Sequence, residues 1–179
     1  MSAAAAAAAG ASAAVGPRLL ERRRAGVLLH PTALRGESLG PLRGAIGAAA
    51  RNFVDWLAQA SQRLWQTLPL GGVGPGNSPY MSTSAFAGNV LLIDLEGLKS
   101  EGWLTGHALT PEAGWRNDRV DFSVVARWRM ERRQEAAKLG AEGASPQQRG
   151  EFQEFCLRQA RWLHDYALCM TLVDAHRGP

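Results

Sequence analysis

The sequence predicts an α/β fold that opens on a βαβ unit, and three observations carry that expectation. Val27-Leu28-Leu29 is a short, continuously apolar run stopped by Pro31, as expected of a strand covered on both faces. Phe53, Trp56, Leu57, Ala60 and Leu64 recur at three- and four-residue spacing, which makes residues 48–60 an amphipathic helix. Leu64 to Leu70 then reads as a second strand. Strand, helix and strand joined by short connections favour a parallel pair.

Beyond Leu70 the chain enters a glycine-dense loop, Gly71-Gly72-Val73-Gly74-Pro75-Gly76, which exposes Ser78 and Tyr80 within a few residues. A strand end that feeds polar groups into a long loop is how a barrel enzyme builds a substrate site. Asp94 to Trp103 reads as a short helix, His107 to Asp118 as a loop with Pro111 and Gly114, and Val120 to Leu139 as a helix with Arg and Glu on its exposed side. Ser145-Pro146-Gln147-Gln148 opens another helix, with Ser as N-cap, Pro in the first turn and Gln as capping-box partner. Phe152, Phe155, Cys156, Gln159, Leu163, Tyr166 and Met170 are its expected buried face. The resulting division is 1–24 as a disordered Ala/Arg-rich leader, 25–89 as the βαβ part with its loop, and 90–179 as a helical subdomain.

A chain of 179 residues can bury one respectable core. Its formal net charge of +4 is unevenly placed. Arg18, Arg22, Arg23 and Arg24 against Glu21 give the first 24 residues +3 of it, leaving +1 for everything after. A nucleic-acid surface needs a basic stripe on the folded part, so nucleic-acid binding is not expected. The leader from Ser2 to Gly16 is almost all Ala with Gly and Ser, and it runs into the arginine cluster. Two readings fit it: an organelle transit peptide, or an uninformative Ala-rich extension from a wrongly chosen start. No apolar span of membrane length occurs, because Gly and Ser dilute the Ala run. Cys156 and Cys169, on one helical pattern, would sit roughly 20 Å apart, too far to bridge. Both are expected as buried reduced thiols, which fits a reducing compartment such as cytosol or plastid stroma.

Five stretches in order resemble one known family. They are Arg24-Ala25-Gly26-Val27-Leu28-Leu29-His30-Pro31-Thr32; Asn52-Phe53-Val54-Asp55-Trp56-Leu57-Ala58; and Leu64-Trp65-Gln66-Thr67-Leu68-Pro69-Leu70 running into Gly76-Asn77-Ser78-Pro79-Tyr80 and Ser84-Ala85-Phe86-Ala87-Gly88-Asn89. Leu91-Leu92-Ile93-Asp94-Leu95 and Trp162-Leu163-His164-Asp165-Tyr166-Ala167-Leu168 complete the set. Together they resemble the N-terminal part of the 4-alpha-glucanotransferases, the amylomaltase or disproportionating-enzyme family (glycoside hydrolase family 77), over about Arg24 to Gly178. The resemblance implies a (β/α)8 TIM barrel, represented here by its first strands and helix, with a helical insertion after the second strand. A complete barrel needs about 250 residues, so 179 would leave it unclosed with an exposed strand edge. The implied activity is transfer of 1,4-alpha-glucan segments between maltooligosaccharides in starch or maltodextrin metabolism, with no organic cofactor. The implied partners are alpha-1,4-glucans, with neither nucleic acid nor membrane. Starch metabolism together with the leader points to a plastid; without a transit peptide, the cytoplasm.

Retaining transglycosylation needs two carboxyl groups about 5 Å apart. Asp94 and Glu96 are the close acidic pair beside the loop, but they open a helix, whose N-terminal dipole favours acidic side chains in any case. By resemblance the nucleophile, the acid/base and the third carboxylate lie in motifs absent from this sequence, so the chain is expected to be inert alone. Tyr80 is the residue to single out. A sugar's flat C–H face packs on an aromatic ring while a phenol hydroxyl reaches its rim; equally, Tyr80 could merely pack the loop down after Pro79. The resemblance makes Tyr80 the platform beside the sugar at the cleavage point and Ser78 a contact to glucan hydroxyls. Three positions depart from the family: Pro75 for an aromatic Tyr, Asn77 for Asp and Met81 for Gln, and Pro75 removes a stacking surface. The family's Gly-Ile-Gly-Asp-Leu-Gly run is replaced by Gly40-Pro41-Leu42-Arg43-Gly44-Ala45-Ile46-Gly47. The glycine run lacks the Lys-Ser/Thr of a phosphate loop. His30, His107, His164 and His176 show no metal-ligand spacing, and His30 reads as a structural residue at a strand end. Trp56, Trp65 and Trp162 are expected in the core. The competing class is a non-catalytic alpha-glucan-binding or partner-binding remnant, suggested by the missing carboxylates and the altered loop.

Overall fold

The structure, a computed structural model, describes residues 23–34, 44–110 and 121–176. Most of the expected leader and the segment with Pro111 and Gly114 therefore lie outside the described residues. Seven regular elements follow in order: β1 (Gly26–Leu28), α1 (Ala48–Gln59), β2 (Leu64–Gln66), α2 (Leu95–Ser100), α3 (Phe122–Gly143), α4 (Pro146–Arg158) and α5 (Ala160–Ala175). The described residues are thus mostly helical with one small sheet.

That sheet is the expected parallel pair, with Gly26 opposite Leu64, Val27 opposite Trp65 and Leu28 opposite Gln66. A side chain at Gly26 would collide with the Leu64 carbonyl, so the close approach of the strands requires glycine there. Leu29 N donates to Gln66 O at 3.0 Å and Arg63 N to Ala25 O at 2.8 Å, which extends the pairing at both ends. The helix α1 closes the unit: Phe53 meets Trp65 edge-on at 5.0 Å between ring centroids, and the Trp65 indole donates to Leu29 O at 2.8 Å. Two expectations change here. The second strand stops at Gln66, not Leu70, because Pro69 has no N–H to continue a ladder and Gly71 pairs instead with Gly88. Trp56 is not core: it stacks on Phe53 at 5.6 Å but stays more than half exposed on the outer side of α1.

The main core lies further along. Leu95, Leu104, Leu109, Trp128 and Ala136 are buried together, with Leu98, Trp103 and Ala108 packed against them. Asp121 starts α3 by accepting from Ser123 N at 3.1 Å and Val124 N at 3.2 Å. The arginines of α3 do not all face solvent as the sequence suggested. Arg129 is 1% exposed and donates to Ile93 O. Arg132 donates to Ala108 O at 3.0 Å while its guanidinium lies 4.2 Å from the Trp128 ring centroid. Long stems let these cations bury apolar length and still reach carbonyls ahead of the helix.

The junction into α4 follows the sequence closely. Ser145 Oγ accepts from Gln148 N and Gln148 Oε1 accepts from Ser145 N, the reciprocal pair of a capping box, with Pro146 in the first turn. The single long helix expected beyond it is broken at Gln159 into α4 and α5, and neither holds a buried residue. Phe152 is 66% exposed, Phe155 is exposed, and Cys156, Gln159, Leu163, Tyr166 and Met170 are half-buried. The reason is that little of the described chain covers this face. The cysteines are free as expected, but Cys156 is half-buried on α4 and Cys169 exposed on α5, not buried. Among the described residues, no helix is long and apolar enough to cross a membrane.

Candidate functional site

The loop from Leu70 to Asn89 is pinched at its base. Asn89 N donates to Leu70 O at 2.7 Å, and Gly71 bridges antiparallel to Gly88. Asn89 then caps the next turn, its Oδ1 accepting from Leu91 N at 2.9 Å. Inside the pinch the chain folds on itself through short-range bonds. Asn77 N donates to Gly74 O at 3.0 Å and Gly74 N to Ser78 O at 3.2 Å. Gly76 and Asn77 both take left-handed backbone, at φ 70 and 57, a conformation that Gly adopts freely and Asn tolerates. Asn77, one of the departures from the resembled pattern, is therefore suited to the turn it occupies.

This turn brings Ser78 and Tyr80 together. Ser78 is half-buried, and its Oγ accepts from Tyr80 N at 3.3 Å. Tyr80 is 70% exposed. Its hydroxyl makes no hydrogen bond among the described residues. Met81 beside it is also exposed and turns back through Met81 N to Ser78 O at 3.3 Å. Further along, Ser84 Oγ accepts from Phe86 N at 3.2 Å and Ala87 N at 3.1 Å, and Ala87 is buried. An exposed aromatic ring with an unused phenol hydroxyl, next to a serine hydroxyl held by a turn, is a surface that can stack on a ring and hydrogen-bond its rim.

The carboxylates do something else. Asp94 occupies the N-cap position of α2 without capping it by side chain, and Glu96 lies in the first turn. The Asp94 carboxylate rests against Gly47, the N-cap of α1, so one acid sits beside two helix starts. It also faces Arg129: burial lowers the Arg129 pKa to about 10, with Asp94 opposing the shift and Arg133 adding to it. Asp94 thus touches the start of α1 and faces the buried arginine of α3. His30 is structural, its Nδ1 accepting from Thr32 N at 3.4 Å and lying 2.7 Å from Thr32 Oγ1. Burial lowers its pKa, in keeping with a neutral ring that accepts at Nδ1. No cluster of His, Cys, Asp and Glu among the described residues could hold a metal ion. A shallow depression of about 420 Å³, lined by Glu96, Lys99, Ser100, Gly106, Leu109 and Thr110, shares no residue with the loop.

Sequence reasoning missed one feature of the site. Phe86 stacks on Trp162 of α5, with 6.0 Å between centroids and 22° between planes, and the Arg161 guanidinium lies 5.1 Å from the Phe86 centroid. Trp162 is half-buried there, in contact with the loop and not within the core cluster. No spacing rule joins residues so far apart in the chain.

Comparison with known proteins places the chain in one family. The 4-alpha-glucanotransferase family, glycoside hydrolase family 77, matches residues 29–179. A 4-alpha-glucanotransferase of Thermus thermophilus is 44% identical over 156 residues, covering 87% of this chain and 30% of that protein. A protein of Solanum tuberosum described as 4-alpha-glucanotransferase, chloroplastic/amyloplastic, is 40% identical over 156 residues, covering 82% of this chain and 26% of its own length. Among solved structures, an amylomaltase from Streptococcus agalactiae in complex with acarbose superposes with TM-score 0.76 at 31% identity, covering 86% of this chain and 30% of that one. The chain thus spans 26% to 30% of the length of these relatives.

Proposed function

The chain belongs to the 4-alpha-glucanotransferase family, and on that premise we propose that it forms part of an enzyme that moves 1,4-alpha-glucan segments between maltooligosaccharides. In this reading β1 and β2 are the first two strands of a (β/α)8 barrel, residues 25–89 are its opening βαβ part, and 90–179 are a helical insertion. The loop from Gly71 to Asn89 is one wall of the glucan site. Tyr80 is the platform on which a glucose ring stacks beside the cleavage point, and Ser78 is the hydroxyl that holds the neighbouring sugar oxygens.

The single observation that supports this most is the exposed Tyr80 ring, presented by a turn that fixes the backbone on both sides of Ser78. An aromatic face orients a sugar without chemistry of its own. The double displacement itself calls for two carboxyl groups about 5 Å apart, and Asp94 and Glu96 are engaged at helix starts. The 179-residue chain alone is therefore expected to bind glucan without transferring it.

Titration of the chain with maltoheptaose tests this. Tyr80→Ala is expected to weaken binding about tenfold and Tyr80→Phe less, as loss of stacking and of one hydroxyl bond would give. Equal affinity for wild type and Tyr80→Ala would overturn the assignment. The alanine-rich, acid-poor leader and the plastid description of the Solanum relative together support a plastid destination. A fluorescent protein fused behind residues 1–24 should accumulate in plastids; a diffuse cytoplasmic signal would reject this.

A further inference from the structure

We propose that Phe86, gripped by Arg161 and Trp162, is a latch that fastens the Tyr80 loop to α5, so that the helical block positions the sugar platform. The sugar part of this inference rests on the reading of Tyr80 above; the latch itself does not.

The loop's own hydrogen bonds are short in range. They join Gly74 to Ser78, Asn77 to Gly74, Met81 to Ser78, and Ser82 and Ser84 to their near neighbours. Such bonds set the shape of a turn but not its place on the protein. The base is held at Gly71, Gly88 and Asn89, which leaves the Tyr80 side of the loop to be located by side chains. Phe86 supplies that contact. Its ring has Trp162 stacked on it and the Arg161 cation over its face, yet it remains 58% exposed. A ring held this way fixes position without filling a core, since offset stacks and cation–π contacts are each modest and directional.

The far side of the latch is built to stay put. The Trp162 indole donates to Gln159 Oε1 at 2.8 Å, where α4 breaks from α5, and this fixes the ring's rotamer. One turn on, the Tyr166 ring lies 5.9 Å from Trp162. A path of contacts therefore runs from Gln159, at the break between α4 and α5, through Trp162 to Phe86, a few residues from Tyr80. Phe86, Arg161 and Trp162 act through Tyr80 as positioning residues.

Hydrogen exchange on the full chain, read at the amides of residues 78–87, tests the latch. Phe86→Ala and Trp162→Ala should speed exchange there about three- to tenfold, while the Asn89 amide at the loop base keeps its protection. Arg161→Gln, which leaves the packing intact, should speed it about twofold to fivefold and serves if the alanine variants do not fold. Phe86→Tyr should restore wild-type exchange. Maltoheptaose affinity should fall in step with exchange in the same variants. Unchanged loop exchange in Phe86→Ala, or failure of Phe86→Tyr to restore it, overturns the latch. If Tyr80→Ala leaves maltoheptaose binding untouched, the platform reading fails on its own, and exchange alone then decides the latch.

Discussion

The α2–α3 block and the α4–α5 pair are both helical, and both carry apolar residues at helical spacing, yet they are packed in opposite ways. In the first, Leu95 is fully buried and Trp128 nearly so, and arginines reach from α3 to carbonyls of the preceding chain. In the second no residue is buried, and Phe152, Leu157, Leu168 and Leu172 face outward. A helix is stabilised chiefly by the surface its apolar face meets, not by the pattern alone. Residues with the same periodicity can therefore be core in one place and surface in another.

The sharpest way to break this contrast is to truncate a large apolar side chain in each region. Trp128→Ala should cost about 3–5 kcal/mol, because it empties the centre of the cluster. Denaturant unfolding at constant m-value would measure it. Next in size is the start of α4. Ser145→Ala removes one half of the capping box and should cost about 1 kcal/mol, visible as faster exchange in the first turn of α4. Leu157→Ser, at a side chain 78% exposed, should change stability by less than about 0.5 kcal/mol. A loss at Leu157 matching that at Trp128 would abolish the distinction between the two regions.

The smallest effect concerns pH at the end of β1. Burial holds the His30 pKa below its ordinary 6.5, so the folded chain binds this proton less tightly than the unfolded chain. Its contribution to stability is then complete above the unfolded value and is lost as pH falls through the folded one. Wild type should lose slightly more thermal stability than His30→Asn between pH 7 and pH 5. An equal loss in both would remove His30 from the account.

What was legible in the sequence divides along the same line. The helix over residues 48–60 and the Ser145 cap were readable because each depends on neighbours a few residues away, and the βαβ unit because its strands and helix follow one another by short connections. The end of β2 at Gln66 was not, since the chain after it turns away to pair Gly71 with the distant Gly88. The buried guanidinium of Arg129 was hidden because charge suggests exposure, and only the fold shows a carbonyl within its reach. At the site, Ser78 and Tyr80 stood in one short motif and could be named directly. The partnership of Phe86 with Arg161 and Trp162 depends on how α5 lies against the loop, which no local pattern encodes.

The proposed role of the Gly71–Asn89 loop, through Tyr80, is to meet alpha-glucan. Mapping amide and aromatic NMR shifts of the full chain during a maltoheptaose titration tests it most directly. The account predicts saturable changes centred on Ser78, Tyr80 and Met81, with Phe86 following and the Trp128 cluster still. Changes centred on the depression beside α2, or none at sugar concentrations that saturate a weak site, would contradict it.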